Sequence, residues 1–338
     1  MNAPAATALD VGVLGRLLAG AGEQVLGPLT ARPVGQGQSN LTYAVTDATG
    51  RSWIARRPPR GELLDSAHDV LREHRILAAL RDTGVPVPAV VGAWDEPELA
   101  DAPVVVMAHV DGLVVDTLDV ARQAPARLRR AAGPSMAGAL ARLHDVDVDA
   151  VGLGDLASRG PYAQRQVRRW SRQWEAGRTR DLPRLDAMTE LLRRTAPAPS
   201  GTVLVHGDFH LRNVILDPGD GSVRAVLDWE LSTLGEPLAD LGSLLAYWPE
   251  PGDEPTGLFA ASAEPGFADR EELVESYLAA SGRSREGLGY WHALGLWKIA
   301  VIAEGVHRRA HGAGSRTDVV DRLIERAWAV AGTARLDR

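Results

Sequence analysis

The chain has 338 residues, 45% hydrophobic and 24% charged, the make-up of a folded globular protein with room for two cores. A net charge of −7 argues against a broad nucleic-acid-binding face, and the absence of cysteine excludes disulfides, thiolate metal sites and cysteine nucleophiles. The first twenty residues carry Asp10 and no basic start, so no signal peptide is expected. The most apolar stretch, 293–303, is broken by Lys298, so the expectation is a cytoplasmic protein without a membrane span.

Residues 1–30 hold a short helix with Val11, Leu14, Leu17 and Leu18 on one face. Residues 32–59 read as strand, Gly-rich turn, strand, turn, strand. Gly35 and Gly37 let the backbone approach a ligand, with Gln38, Ser39 and Asn40 adding polar groups, although as an isolated motif a plain tight turn is the better explanation. Alternation along 52–56 puts Ile54 and Arg56 on one face and Arg57 on the other. The spacing predicts a helix over 65–82, with Val70, Leu71, His74, Leu77 and Leu80 in one stripe; its Glu73 is a natural partner for Arg56. An extended run at 89–94 and a β-branched strand at 103–107 lead to a connection at 108–112, and the domain boundary is expected near Gly112. Beyond it the chain turns helical. Helices are expected at 126–145, interrupted at Gly133-Pro134, at 162–176, with a basic flank of Arg165, Arg168, Arg169 and Arg172, and at 185–194.

Most of the chemistry lies in 203–230. Val203-Leu204-Val205 is a short buried strand, and His206-Gly207-Asp208 follows directly, with Asn213 five positions after Asp208. Strands at 214–216 and 223–227 flank a turn at 217–221, and Asp228 ends the second of them. Asp208, Asn213 and Asp228 are expected to point toward one mouth. Asp-x-x-x-x-Asn followed by a strand-borne Asp is the order of base, metal ligand, metal ligand in phosphoryl transfer, where hard oxygens hold a divalent cation. Asp208 would then be the base, with Mg²⁺ on Asn213 and Asp228. Any one of these residues alone reads as a loop cap; all of them at this spacing do not. Kinases place a lysine on the nucleotide phosphates where this chain has Arg56, with Glu73 as its helix partner. A helix over 235–248, a loop or lid at 249–267, and helices at 270–281, 290–310 and 317–331 complete the chain.

H-G-D-x-H-x-x-N, L-D-W-E and G-x-P-x-x-D-L together resemble the aminoglycoside phosphotransferase and choline kinase-like family of small-molecule kinases, over about residues 33–316. The run LDWELSTLGEPLADLG most resembles the kinase-like domains fused to acyl-CoA dehydrogenases. The resemblance implies an α+β, protein kinase-like fold of two lobes. The first, 1–111, would be a small antiparallel sheet; the second, 112–338, mostly helical; and ATP would lie between them. It places adenine near Met107, His109 and Val110, makes Asp240 a brace for the loop at His206, and puts Glu230 on the acceptor side. It also has the late helices wall the acceptor pocket, with Trp291, Lys298, Glu304 and Arg308 as candidate contacts. The implied partner is a small-molecule hydroxyl, in that subgroup a hydroxyacyl-CoA or hydroxy acid derivative. An aminoglycoside or other antibiotic is the alternative acceptor. A non-catalytic nucleotide-binding pseudokinase is the rival class, supported only by Arg56 in place of lysine. Neither nucleic acid nor membrane is an expected partner.

Overall fold

In a computed structural model, residues 9–34, 40–59, 69–157, 160–254, 259–309 and 317–336 are described. Contacts divide the chain into two units, one of Met1–Asp111 with Ala225–Glu230 and one of Gly112–Arg224 with Leu231–Arg338. The division falls at Gly112, but the expected second lobe gives up 225–230 to the first unit.

In the first unit, helix α1 (Val11–Gly20) starts where the Asp10 carboxylate accepts from the Gly12 and Val13 N–H groups, at 2.9 Å each. Strands β1 (Thr30–Pro33), β2 (Leu41–Thr46) and β3 (Ser52–Arg57) form a meander. Helix α2 (Val70–Leu80) follows, then β4 (Val90–Trp94) and β5 (Val104–Ala108). The sheet is antiparallel, in the order β1-β2-β3-β5-β4. Alternation along β3 sends Trp53 and Ala55 into a core with Leu14, Leu18, Tyr43, Val45, Val104 and Val106; each of these leucines and valines contributes about 1.5–3 kcal/mol of burial. Arg57 follows them inward, 1% exposed and ion-paired to Asp101, so it does not end the strand in solvent. Arg56 lies on the opposite face, between Thr42 of β2 and Val105 of β5.

Helix α2 begins at Val70 because Asp69 caps it, accepting from the Arg72 N–H at 3.0 Å; part of the expected 65–82 helix lies outside the described residues. Its buried stripe is Val70, Glu73, Ile76, Leu77 and Leu80, and Leu71 is 44% exposed. The expected stripe was wrong there because Leu71 is one 100° step from Val70, and because a paired glutamate, not an apolar residue, fills the face.

The second unit is mainly helical: α3 (Leu118–Gln123), α4 (Ala126–His144), α5 (Tyr162–Gly177) and α6 (Pro183–Arg194) precede the strands β6 (Val203–Val205), β7 (Val214–Leu216), β8 (Val223–Val226, its last two residues counted with the first unit) and β9 (Thr233–Gly235). Helices α7 (Pro237–Ala246), α8 (Arg270–Ser281), α9 (Leu288–Arg309) and α10 (Thr317–Thr333) follow. Helix α4 runs unbroken through Pro134, contrary to expectation. Its stripe of Leu128, Ala132, Met136, Leu140 and Leu143 is fully buried, and that packing outweighs the hydrogen bond proline forfeits. Gly133 packs so close that a Cβ there would lie 2.9 Å from Leu273 of α8. Helix α9 is apolar on most sides and crosses α7 at Gly242 and Gly295, where added methyl groups would strike backbone.

Two short elements escape the sequence pattern. Strand β6 pairs antiparallel with β9, Leu204 opposite Leu234, rather than with the hairpin that follows it. The β7–β8 hairpin closes through the Asp217 N–H on the Ser222 carbonyl at 2.8 Å, and β7 is pinned by two 2.9 Å bonds between Leu216 and Leu113. No helix among the described residues is long and apolar enough to cross a membrane.

Candidate active site

The loop 206–213 leaves β6 and is held from three sides. From the first turn of α7, Asp240 accepts the His206 N–H at 2.5 Å and the Gly207 N–H at 2.8 Å. Asp240 is 1% exposed and also meets His144 Nε2 at 3.3 Å, while His144 Nδ1 lies 2.8 Å from the Tyr277 hydroxyl. Burial would raise the Asp240 carboxyl, but the bond from His144 and the nearby imidazole and backbone dipoles hold it below the usual range. Gly207 has φ +84°, and a Cβ there would stand 2.7 Å from the Leu231 carbonyl, so only glycine takes this turn without strain. The Gly207 carbonyl accepts from Lys298 Nζ at 2.7 Å.

The next residue is Asp208. Its Oδ1 accepts from the Tyr247 hydroxyl at 3.0 Å, and its Oδ2 lies 3.2 Å from His210 Nε2 and 3.3 Å from Asn213 Nδ2. A quarter of its side-chain surface (25%) stays exposed, so an incoming group can reach it. Burial works against its charge, but the His210 bond and the electrostatic pull of His210, Lys298 and His206 win, and the carboxyl stays well below the ordinary carboxylate range. Asp208 is thus ionised and oriented at neutral pH. Tyr247 is pushed the other way, upward, by burial and by Asp208, so it remains a donor. Asn213 directs Nδ2 onto the Asp208 carbonyl at 2.9 Å, which leaves its Oδ1 with no donor among the described residues. His210, Tyr247 and Phe259 pack ring against ring beside Asp208, with centroids 4.4–4.8 Å apart.

The first unit has a charged cluster of its own. Arg56 spreads its fork between two carboxylates, Nη1 on Glu73 at 2.6 Å and Nη2 on Asp228 at 3.2 Å. Glu73 is 2% exposed and Asp228 37% exposed. Burial pushes Glu73 up to about 7, Arg56 pulling against it and Asp228 adding to it. Burial opposes the Arg56 charge as well, but Glu73 and Asp228 outweigh it and raise the guanidinium. Asp228 has φ +66°, in the left-handed region that costs a non-glycine residue about 1 kcal/mol or more. Its segment is fixed by the Val226 N–H on the Pro86 carbonyl at 2.8 Å and by the buried Trp229, whose Nε1 donates to the Val226 carbonyl. Glu230 is half-buried, its carbonyl accepting from Arg72 Nη1 at 3.4 Å.

Met107 is buried at the end of β5, while His109 is exposed and sits 3.4 Å from Asp111. Val110 is half-buried. Gly35, Gly37, Gln38 and Ser39 lie outside the described residues; Asn40 is buried, with neither amide atom partnered among the described residues. Of the four late-helix candidates, Trp291, Lys298 and Glu304 are buried and Arg308 is exposed. Trp291 is buried between Tyr162 and Tyr290. Glu304 is fully buried and accepts from the Thr179 N–H at 3.1 Å and its hydroxyl at 2.5 Å. Arg308 donates to the Ala176 carbonyl. Lys298 is only 8% exposed and committed to Gly207. These side chains are taken up in tying α9 to its neighbours, which helical spacing alone cannot distinguish from lining a pocket. The Arg-rich flank of α5 divides likewise: Arg165 is tied to the Gly160 and Leu234 carbonyls at 2.7 Å each, while Arg168, Arg169 and Arg172 are exposed.

Sequence reasoning missed Tyr247, Phe259 and the His144–Tyr277 brace. His210 stands in the H-G-D-x-H motif and could have been given its place beside Asp208. The other residues carry no spacing signal, since they arrive from separate helices and a loop.

The profile of the phosphotransferase enzyme family matches residues 30–294. Acyl-CoA dehydrogenase family member 10 of Mus musculus is 34% identical over 304 residues, and family member 11 of Gallus gallus 35% over 305. Those matches cover 86% and 87% of this chain but only 27% and 38% of the relatives, so the chain spans well under half of either protein. A crystal structure of a putative aminoglycoside phosphotransferase from Ralstonia eutropha JMP134 superposes with a TM-score of 0.78 at 29% identity, covering 96% of this chain and 99% of that one. With the family profile spanning most of its length and an α+β, protein kinase-like fold to match, the chain belongs to the phosphotransferase enzyme family and is a small-molecule phosphotransferase acting on hydroxyl groups.

Proposed function

We propose that the chain moves the γ-phosphoryl group of ATP, with Mg²⁺, to a hydroxyl of a hydroxyacyl-CoA or related hydroxy acid derivative, in the cytoplasm. The observation that carries the reading is Asp208: ionised, aimed by three donors and still reachable. Its remaining lone pairs can accept the acceptor's O–H. As that oxygen bonds to the γ-phosphorus, its proton passes to the Asp208 carboxylate, and the P–O bond to ADP breaks with the electron pair leaving on ADP. Tyr247 and Asn213 hold the carboxylate in one direction throughout, so positioning and electrostatics supply most of the rate.

The oxygen donors fit Mg²⁺. Asn213 Oδ1 accepts no bond from the described residues, and the partly exposed Asp228 has only Oδ1 engaged, by Arg56. Among the described residues no three His, Asp or Glu side chains gather to hold a metal by themselves. When bound, Mg²⁺ would offset the charge on the phosphate oxygens. Arg56, braced by Glu73, would support the phosphates, and Met107, His109 and Val110 the adenine, with Gly35, Gly37, Gln38, Ser39 and Asn40 as the phosphate turn.

For the acceptor, support comes from the two acyl-CoA dehydrogenase family relatives, whose names concern acyl-CoA chemistry. The test is Mg²⁺-dependent ADP formation with 3-hydroxyacyl-CoAs and with aminoglycosides side by side. ADP formation with aminoglycosides alone would overturn the acyl acceptor; no ATP turnover with any acceptor, water included, would favour a pseudokinase. Asp208→Asn should keep nucleotide binding and lower turnover by about 10² or more.

A further inference from the structure

In a chain whose 37 basic residues are otherwise all arginine, the one lysine sits beside the candidate catalytic loop. Lys298, on α9, donates through Nζ to the Gly207 carbonyl at 2.7 Å and stands 5.3 Å from the centroid of the Trp170 ring. With Tyr162, Gln166, Trp170, Asp240 and Ser243 it lines a chamber of about 20 Å³. That space suits a single water and is far too small for a substrate. Lys298 therefore acts through what it holds.

What it holds is the peptide that precedes Asp208. Gly207 is gripped at both ends, its N–H by Asp240 Oδ1 at 2.8 Å and its carbonyl by the ammonium, in a turn at φ +84° that leaves little freedom. The Gly207 carbonyl lies in the same peptide plane as the Asp208 nitrogen and Cα, so fixing that carbonyl fixes the point from which the Asp208 side chain leaves the loop. Burying a cation is costly, and burial indeed pushes the ammonium down, with Asp208 and Asp240 pulling it back up. The slot also explains the residue type. A compact ammonium on a flexible stem fits between an indole face and one carbonyl, whereas a planar guanidinium fork needs more width and two acceptors.

We propose that Lys298 is a positioning residue for phosphoryl transfer, its ammonium seated on Trp170 and clamping the Gly207 carbonyl so that the Asp208 carboxylate stays aimed at the acceptor. The proposal rests on the function proposed above only for the role of Asp208.

The test uses the full chain and Mg²⁺–ATP turnover, with water as acceptor where no better one is in hand. Lys298→Met should lower kcat about tenfold or more while leaving KM for Mg²⁺–ATP within about twofold, and Lys298→Arg should not restore the rate. Combined with Asp208→Asn, Lys298→Met should cost nothing further, because two residues acting as one unit are not additive. Undiminished turnover in Lys298→Met, rescue by arginine, or an additive loss in the double variant would overturn the proposal. A second readout needs no activity. With a single lysine, ¹³Cε-lysine labelling gives one side-chain resonance, and Asp208→Asn should displace it. An unmoved resonance would refute the coupling. If the wild-type chain turns over no ATP, that counts against the proposed function, and the resonance still decides this inference.

Discussion

Replacing Asp240 by asparagine exposes how the loop is held. The carboxylate takes two backbone N–H bonds, from His206 at 2.5 Å and Gly207 at 2.8 Å, at a site 1% exposed. An amide keeps one oxygen for one of them and turns an NH₂ donor toward the other. One charge-assisted bond worth about 1.5–3 kcal/mol is lost, and a buried N–H is left facing a donor, for a total of about 2–4 kcal/mol. For a chain of this size that corresponds to roughly 2 °C in Tm per kcal/mol, or about 4–8 °C in all. Differential scanning calorimetry of wild type and Asp240→Asn measures it directly. Because the same bonds set the path into Asp208, turnover should fall together with stability. A loss below about 0.5 kcal/mol, the size of an ordinary surface change, would refute the argument that these bonds hold the loop.

Gly207→Ala adds a left-handed non-glycine residue and a methyl 2.7 Å from the Leu231 carbonyl, so it should destabilise by about 2 kcal/mol or more in urea unfolding. Gly201→Ala, with open space around the added methyl, is the control and should stay within about 0.5 kcal/mol. His292 gives a pH dependence. Burial, with Arg270 and Arg326 beside it, lowers it from 6.5 to about 3. Below pH 6.5 the unfolded chain takes a proton that the folded chain refuses, so stability falls as pH drops, by roughly 1.4 kcal/mol per unit from this group, down to about pH 3. The stability profile of His292→Gln between pH 6.5 and 4 should be flatter than that of wild type; parallel profiles would contradict the reasoning.

Much of this architecture is legible in the residues because its signals are local. Alternation along 52–57 separates Arg56 from Trp53 and Ala55, and the spacing from His206 to Asn213 compresses one half of the site into a single short loop. The helices α5 and α6 announce themselves by period. What stays hidden depends on partners distant in sequence. Strand β9 is three residues ending in glycine and exists because β6 lies beside it. Pro134 marks a break by local rules, yet α4 continues because its whole apolar stripe is buried. Tyr247 reaches Asp208 from the C-terminal end of α7, 39 positions away, and no periodicity encodes that meeting. Glu304 and Lys298 share one helix, and only the groups they meet show that both are internal braces.

The segment 225–230 is strung from the second unit but counted with the first, where its Val226 is tied to Pro86 and its Asp228 to Arg56. Synthesis from the N-terminus therefore delivers the five-stranded sheet long before the piece that completes its charged cluster. Until residue 228 has emerged, Arg56 has Glu73 but not Asp228. Cutting the gene at the apparent boundary would leave the early unit permanently in that unfinished state.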